Sequence, residues 1–355
     1  MNTTLGNTHL ILLFTLALTL YACGGSDTQT DTTSDSATTS SGSDTDTDTD
    51  TDADADADAD NDSETQTDTT VVASDLFFFD DAVVESITTQ SCTLSGGTQT
   101  TCYRITLAGE PAVDEIGPFC PPTITSDASQ GGIWFDGSGE VYDIDGEFIS
   151  NLDQLYGDGW QLYDLSTGEV NITDTQEACE AAARPNVDPA YQNYCVQCDL
   201  DYYGGGVSET VLLPVTPVPL SNPSYVNANM GVSLNGVILA AQAPVDAILS
   251  NYTIAAFDDC GGHINPFDGY HYHAATGCST GVDQEDGHAN QIGYALDGYS
   301  IYAMLDTSGF EETDLDECRG HTDDARGYHY HVASPGENMF IGCFHGEQGE
   351  WLGSE

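Results

Sequence analysis

The sequence predicts a mostly β, disulfide-bonded ectodomain made of short hairpins with little helix. Three observations predict it. Apolar and polar residues alternate around Gly-Gly, Asn-Gly and Asp-Gly pairs, the pattern of paired strands joined by tight turns. Ten cysteines follow residue 23, an even number, as expected of bridges in an oxidising compartment. Only one segment, TDTQEACEAAARP at 173–185, reads as helix, with Thr or Asp to cap it, Glu in its first turn and Pro185 beyond its end.

Taken in order, residues 1–22 hold a short apolar run from Leu10 to Leu20, too short to span a bilayer as a mature helix. Leu20-Tyr21-Ala22-Cys23 resembles the lipobox of a bacterial lipoprotein signal. That resemblance implies cleavage before Cys23, lipidation of Cys23, and an exported chain held at the outer membrane or cell surface by lipid alone. Residues 23–72 are a low-complexity tether of Thr, Asp, Ala and Ser with 15 of the 59 acidic residues. They have almost no apolar surface to bury and are expected to stay extended.

The remainder carries 44 acids against four arginines and no lysine, within a total net charge of −55. Such a surface repels nucleic acid and anionic lipid and attracts divalent cations, calcium among them. Residues 73–205 read as a β-rich N-terminal region. VESITTQSCTLSGGTQTTCYRITL is a hairpin with Cys92 and Cys102 placed to staple it, and GGIWFDGSGEVYDIDGEFISNL reads as further hairpins with Asp-Gly turns. The proline-punctuated LLPVTPVPLSNP, 212–223, reads as an extended junction. GVSLNGVILAAQAP and GYALDGYSIYAM follow as strand–turn–strand units.

The functional centre is a duplication. CGGHINPFDGYHYH, 260–273, returns 58 residues later as CRGHTDDARGYHYH, 318–331. Six of the nine histidines lie in the two copies, with His288 and His345 close by. On a strand alternate side chains share a face, so His271 and His273 stand together with Tyr270 and Tyr272 opposite, and His329 and His331 repeat this. His263 and His321 are placed to fold back as third ligands. The spacing allows one site from the two His-x-His pairs, or two sites of three histidines each. Imidazole donors suit copper or zinc, and oxidised cysteines leave no thiolate to compete. Asp258, Asp259, Asp268, Asp297 and Asp323 are candidates to complete or orient the shell. Cys260 with Cys278, and Cys318 with Cys343, would close the two histidine loops equivalently. The pairing of Cys120, Cys179, Cys195 and Cys198 is open, although Cys195-Val-Gln-Cys198 reads as structural bridging.

The paired Gly-Tyr-His-Tyr-His motifs, the intervening GYALDGYSIY and the trailing IGCFHG resemble the YHYH-domain proteins over residues 206–355. IGPFCPP and GGIWFDGSGEVYDIDG are similar to parts that accompany the domain in longer members. The resemblance implies an exported setting and no particular activity. Three function classes follow from the residues: a surface metal protein, catalytic or not; a metal-free hydrolase using paired histidines as acid and base; and a disulfide-stabilised module for protein or glycan contact.

Overall fold

The computed structural model describes residues 70–71, 76–277 and 281–353. The expected signal segment, Cys23, nearly all of the tether and Cys278 lie outside the described residues.

The chain is mostly β. Its centre is an eight-stranded sheet formed by four hairpins: β1 (Gly231–Ser233) with β2 (Ile238–Leu239), β3 (Gly262–Asn265) with β4 (Gly269–Tyr272), β5 (Gln291–Ala295) with β6 (Ser300–Tyr302), and β7 (Gly320–Asp323) with β8 (Gly327–His331). The order across the sheet is β3-β4-β2-β1-β5-β6-β8-β7. Strands β1 and β5 meet antiparallel at the centre, while β2 pairs with β4, and β6 with β8, in parallel. The order therefore reads the same outward from the β1/β5 seam in both directions.

This symmetry extends the duplication well beyond the histidine motifs. Leu239 pairs with Tyr272 and with Gly231, as Ile301 pairs with Tyr330 and with Gly293. GVSLNGVILAA thus corresponds to GYALDGYSIYA at an offset of 62 residues, and each half of the sheet is one four-stranded repeat.

The turn preceding each histidine hairpin has a local cause. Oδ1 of Asp258 accepts from the backbone N–H groups of Cys260 and Gly262, and Oδ1 of Asp316 from those of Cys318 and Gly320. A Cβ on Gly262 would lie 2.6 Å from the Tyr270 ring, and one on Gly320 would lie 2.1 Å from the Tyr328 hydroxyl. The glycine of Cys-x-Gly-His is therefore the space in which the tyrosine ring lies. At the opposite end Asn265 and Asp323 each close the hairpin by accepting two backbone N–H groups.

A second sheet of five strands takes Thr70–Val71, Thr88–Thr93, Gln99–Thr106, Thr210–Pro214 and Glu350–Gly353 in that order. Thr210–Pro214 is buried along its length and pairs on both sides. The start of the proline-punctuated segment is thus an interior strand rather than a free junction, because its apolar Val211-Leu212-Leu213 has two neighbours to cover it. One hydrophobic core also joins Ile105, Trp134 and Phe135 to Val232, Phe257 and Tyr330, so residues on both sides of 205 share it.

The helix expected at 173–185 forms over Gln176–Ala182 with Thr175 as its cap. Asp145-Gly146, read as a hairpin turn, instead starts a short helix. Asp145 accepts from the N–H of Phe148, and Gly146–Ser150 is helical, because Phe148 and Ile149 bury one helical face. Disulfides join Cys92 to Cys102, Cys318 to Cys343, Cys120 to Cys195 and Cys179 to Cys198. Cys260 is also disulfide-bonded.

Candidate metal centres

The hairpin register explains how three histidines meet. His263 lies directly opposite His271, and His321 directly opposite His329. His273 and His331 are two residues further along the same strand face. In the first copy His263 Nε2 is 3.1 Å from His271 Nε2 and 3.2 Å from His273 Nε2. In the second, His321 Nε2 is 2.9 Å from His329 Nε2 and 3.2 Å from His331 Nε2. The histidine-bearing strands β4 and β8 are five strand spacings apart, roughly 24 Å. Of the two arrangements that the spacing allows, the side chains adopt the one with two separate triads.

A seventh histidine joins the second triad. His288, on the loop before β5, places Nε2 3.0 Å from His329 Nε2. His263, His271 and His273 form one group able to hold a metal ion, and His288, His321, His329 and His331 form another. His345 joins neither; its ring stacks on Tyr328 at 3.8 Å.

The outward-facing nitrogens fix the tautomers. In the second group the Nδ1 atoms of His288, His329 and His331 face the carbonyl oxygens of Ala289, Gly327 and Ala303, and that of His321 faces the Asp314 carboxylate, all at 2.9–3.0 Å. An oxygen acceptor requires an N–H at each Nδ1, so that in the neutral ring it is Nε2 that carries the bare lone pair aimed at its neighbours. In the first triad His271 and His273 donate likewise to Gly269 O and Ala241 O, and Asn265 Nδ2 stands 3.3 Å from His271 Nε2. Donors around a tetrahedral zinc at 2.0–2.1 Å stand about 3.3 Å apart, close to the separations here.

Burial favours the neutral form of five of these rings, those of His263, His271, His273, His329 and His331. Burial, then the nearby His271, pulls His273 down to about 3. His331 falls to about 3 and His329 to about 4, in both cases mainly through burial, with neighbouring histidines adding to the shift. His263 and His271 are also lowered by burial. Neutral imidazole is the form that binds a metal.

The tyrosine face is a separate network. Tyr270 donates to Asp258 at 2.7 Å, Tyr328 to Asp316 at 2.9 Å and Tyr330 to Asp297 at 2.5 Å, while Tyr272 accepts from Asn235 at 3.0 Å. Asp258 and Asp297 therefore hold tyrosines on the face opposite the histidines. Burial raises both, Asp297 to about 6. Asp323 pairs with Arg326, Asp268 accepts from Asn265 and Asn229, and the backbone carbonyl of Asp259 accepts from Thr276. None of these five aspartates is in either histidine group. The carboxylates that do gather at a cluster histidine are Asp314, bonded to His321 from seven residues before it, and Glu312 beside them, and no spacing rule pointed to either.

The surroundings of the two groups differ. In the second copy the Tyr302 ring packs on His288 at 4.7 Å and on His329 at 4.9 Å. Ala240 holds the equivalent position in the first. There the triad opens into a cavity of about 270 Å³, lined by all three histidines and mainly by apolar side chains. Phe257 backs that triad, with its ring 4.9 Å from His263 and stacked on Phe135 at 4.2 Å.

The family model described as YHYH protein matches residues 210–314, which makes this a YHYH-domain protein. The matched span covers the first motif and ends before the second. No curated protein and no solved structure matches the chain.

Proposed function

We propose that this protein is a two-centre transition-metal protein, with zinc or copper at both histidine groups. The first centre is the working one and the second is structural. The observation that carries the reading is the convergence of Nε2 lone pairs whose Nδ1–H groups are all engaged elsewhere in the second group, and in two of three rings in the first. Neutral imidazoles in that arrangement repel one another unless a cation lies among them.

Structural metal sites are closed by protein donors, whereas catalytic ones keep a position for water or substrate. His288, His321, His329 and His331 supply four donors and close the second site under Tyr302. His263, His271 and His273 supply three, beside a cavity. Zinc held there would supply water activation and carbonyl polarisation, and copper would supply one-electron chemistry. The chain's own part is to fix the donor tautomers through Gly269 and Ala241, to exclude bulk water with Phe257, and to present the open side to the cavity. X-ray absorption at the edge of the bound metal tests this. A purely nitrogen and oxygen shell with imidazole scattering is expected, and sulfur at about 2.3 Å would contradict it.

We propose further that the chain is exported and lipid-anchored at Cys23. The disulfide bonding supports an oxidising compartment, and the acidic surface supports loose association with calcium and other divalent cations. Mass spectrometry of the mature N-terminal peptide should find acylated Cys23; an unmodified Met1 would rule the anchor out.

A further inference from the structure

Arg184 follows the helix Gln176–Ala182 and lines the cavity at the first triad. The other three arginines are all paired with carboxylates: Arg104 with Glu85, Arg319 with Glu311, and Arg326 with both Asp286 and Asp323. Among the described residues Arg184 alone has no carboxylate partner. Its Nε donates to the carbonyl of Ala181, and Glu180, one turn earlier, bonds to Gln176 instead. In a chain with 59 acids and four arginines, this guanidinium without a carboxylate partner lines the same cavity as the first histidine triad.

A difference between the repeats lies at the cavity. Tyr302 fills the corresponding space over the second group, its ring 6.0 Å from that of His331. Ala240, which stands at the Tyr302 position in the first copy, lines the cavity with a methyl group. Val187, Val196, Ile248 and Phe267 make the rest of the lining largely apolar. A dry cavity of about 150 Å³ accepts benzene, so one of 270 Å³ takes roughly a dozen non-hydrogen atoms.

We propose that this cavity is the binding site of a small organic carboxylate. Its apolar body lies over Ala240, its acid group meets Arg184, and its far end faces the Nε2 atoms of His263, His271 and His273. Guanidinium matches a carboxylate with two parallel N–H donors, a match that an alcohol or amine does not make. The assignment rests on the reading of the triad as an open metal centre.

The test is calorimetric titration of the metal-saturated full chain with 3-phenylpropanoate, 3-phenylpropanol and 3-phenylpropylamine, with elemental analysis of the same samples. The carboxylate should bind, and at least tenfold more tightly than the other two. Arg184→Gln, an exposed substitution, should reduce that preference at least tenfold, and Ala240→Tyr should abolish binding, both with metal content unchanged. Equal binding of the three probes, an Arg184→Gln affinity equal to that of the parent, or no carboxylate binding at millimolar concentration overturns the assignment while the metal reading stands. A parent chain that holds no metal at the first triad overturns the metal reading itself.

Discussion

The two repeats share a turn, a hairpin register, a tyrosine network and three convergent histidines, yet two differences give them opposite surroundings. The second copy recruits His288 and covers the cluster with Tyr302. The first has Ala240 in place of that tyrosine, and the cavity lies alongside. A third contrast lies on the far face, where Tyr330 meets a buried carboxylate, Asp297, and Tyr272 meets a buried amide, Asn235. One scaffold thus builds a ligand cluster twice, and the residues around it decide whether it is sealed or accessible. Upstream elements belong to the accessible side: the strand Ile133–Phe135 pairs with Phe257 behind the first triad, and Val187 and Val196 line its cavity.

The sharpest way to break the comparison is to remove one site at a time. His321→Ala with His329→Ala should lower the melting temperature of the metal-saturated chain by roughly 8–15 °C. That follows from a ligand held at a thousand times its Kd contributing about 4 kcal/mol and about 2–4 °C per kcal/mol at this size. His263→Ala with His271→Ala should cost clearly less, because an open site with three donors holds its metal less tightly. Differential scanning calorimetry decides, and equal losses would erase the distinction between sealed and open.

The buried acid gives the next largest effect. The folded-state value for Asp297, about 6, lies above its ordinary 3.8, so the folded chain binds the extra proton between those values. Stability from this group is present below pH 4 and falls as the pH rises to 6, by up to about 3 kcal/mol at 1.36 kcal/mol per unit. Asp297→Asn, which copies Asn235 of the other repeat, should flatten that fall in urea unfolding with chelator present. An unchanged slope would show that Asp297 is not its source.

A smaller contrast sharpens the tyrosine network. Tyr330→Phe removes a donor from a buried carboxylate and should cost about 1–3 kcal/mol. Tyr272→Phe removes an acceptor from an amide already bonded to Asp114 and Ser233, and should cost about 1 kcal/mol. Reversed magnitudes in urea unfolding would mean that the two networks do not differ as their partners suggest.

Much of this was legible from period-two alternation and turn pairs. The hairpins at Gly96-Gly97, Asn235-Gly236 and Asp297-Gly298, the shared face of each His-x-His, and the Cys92–Cys102 and Cys318–Cys343 bridges all follow from local spacing. What was not legible depends on pairing between distant strands. His288 reaches its cluster from a loop with no counterpart in the first repeat, so the duplicated motif did not mark it. The correspondence of Ala240 with Tyr302 has a weak signal, Gly-x-x-Leu followed by Asn-Gly or Asp-Gly at an offset of 62, that the stronger histidine repeat overshadowed. The aspartates drew attention as ligands because carboxylates often accompany histidines at metals, but Asp258 and Asp297 bond to tyrosines instead. A single sequence does not distinguish those roles, because the strand face that an acid meets is set by tertiary packing.

The central claim is two separate metal centres, and elemental analysis of the full chain, exported to an oxidising compartment and purified without a histidine tag or chelator, tests it directly. The parent should carry two equivalents of zinc or copper. The His263/His271 and His321/His329 double alanine variants should each carry one, and the combined variant none. A parent that carries one equivalent, abolished by either double variant alone, would mean one shared site, and a folded parent that takes up no metal on titration would contradict the account altogether.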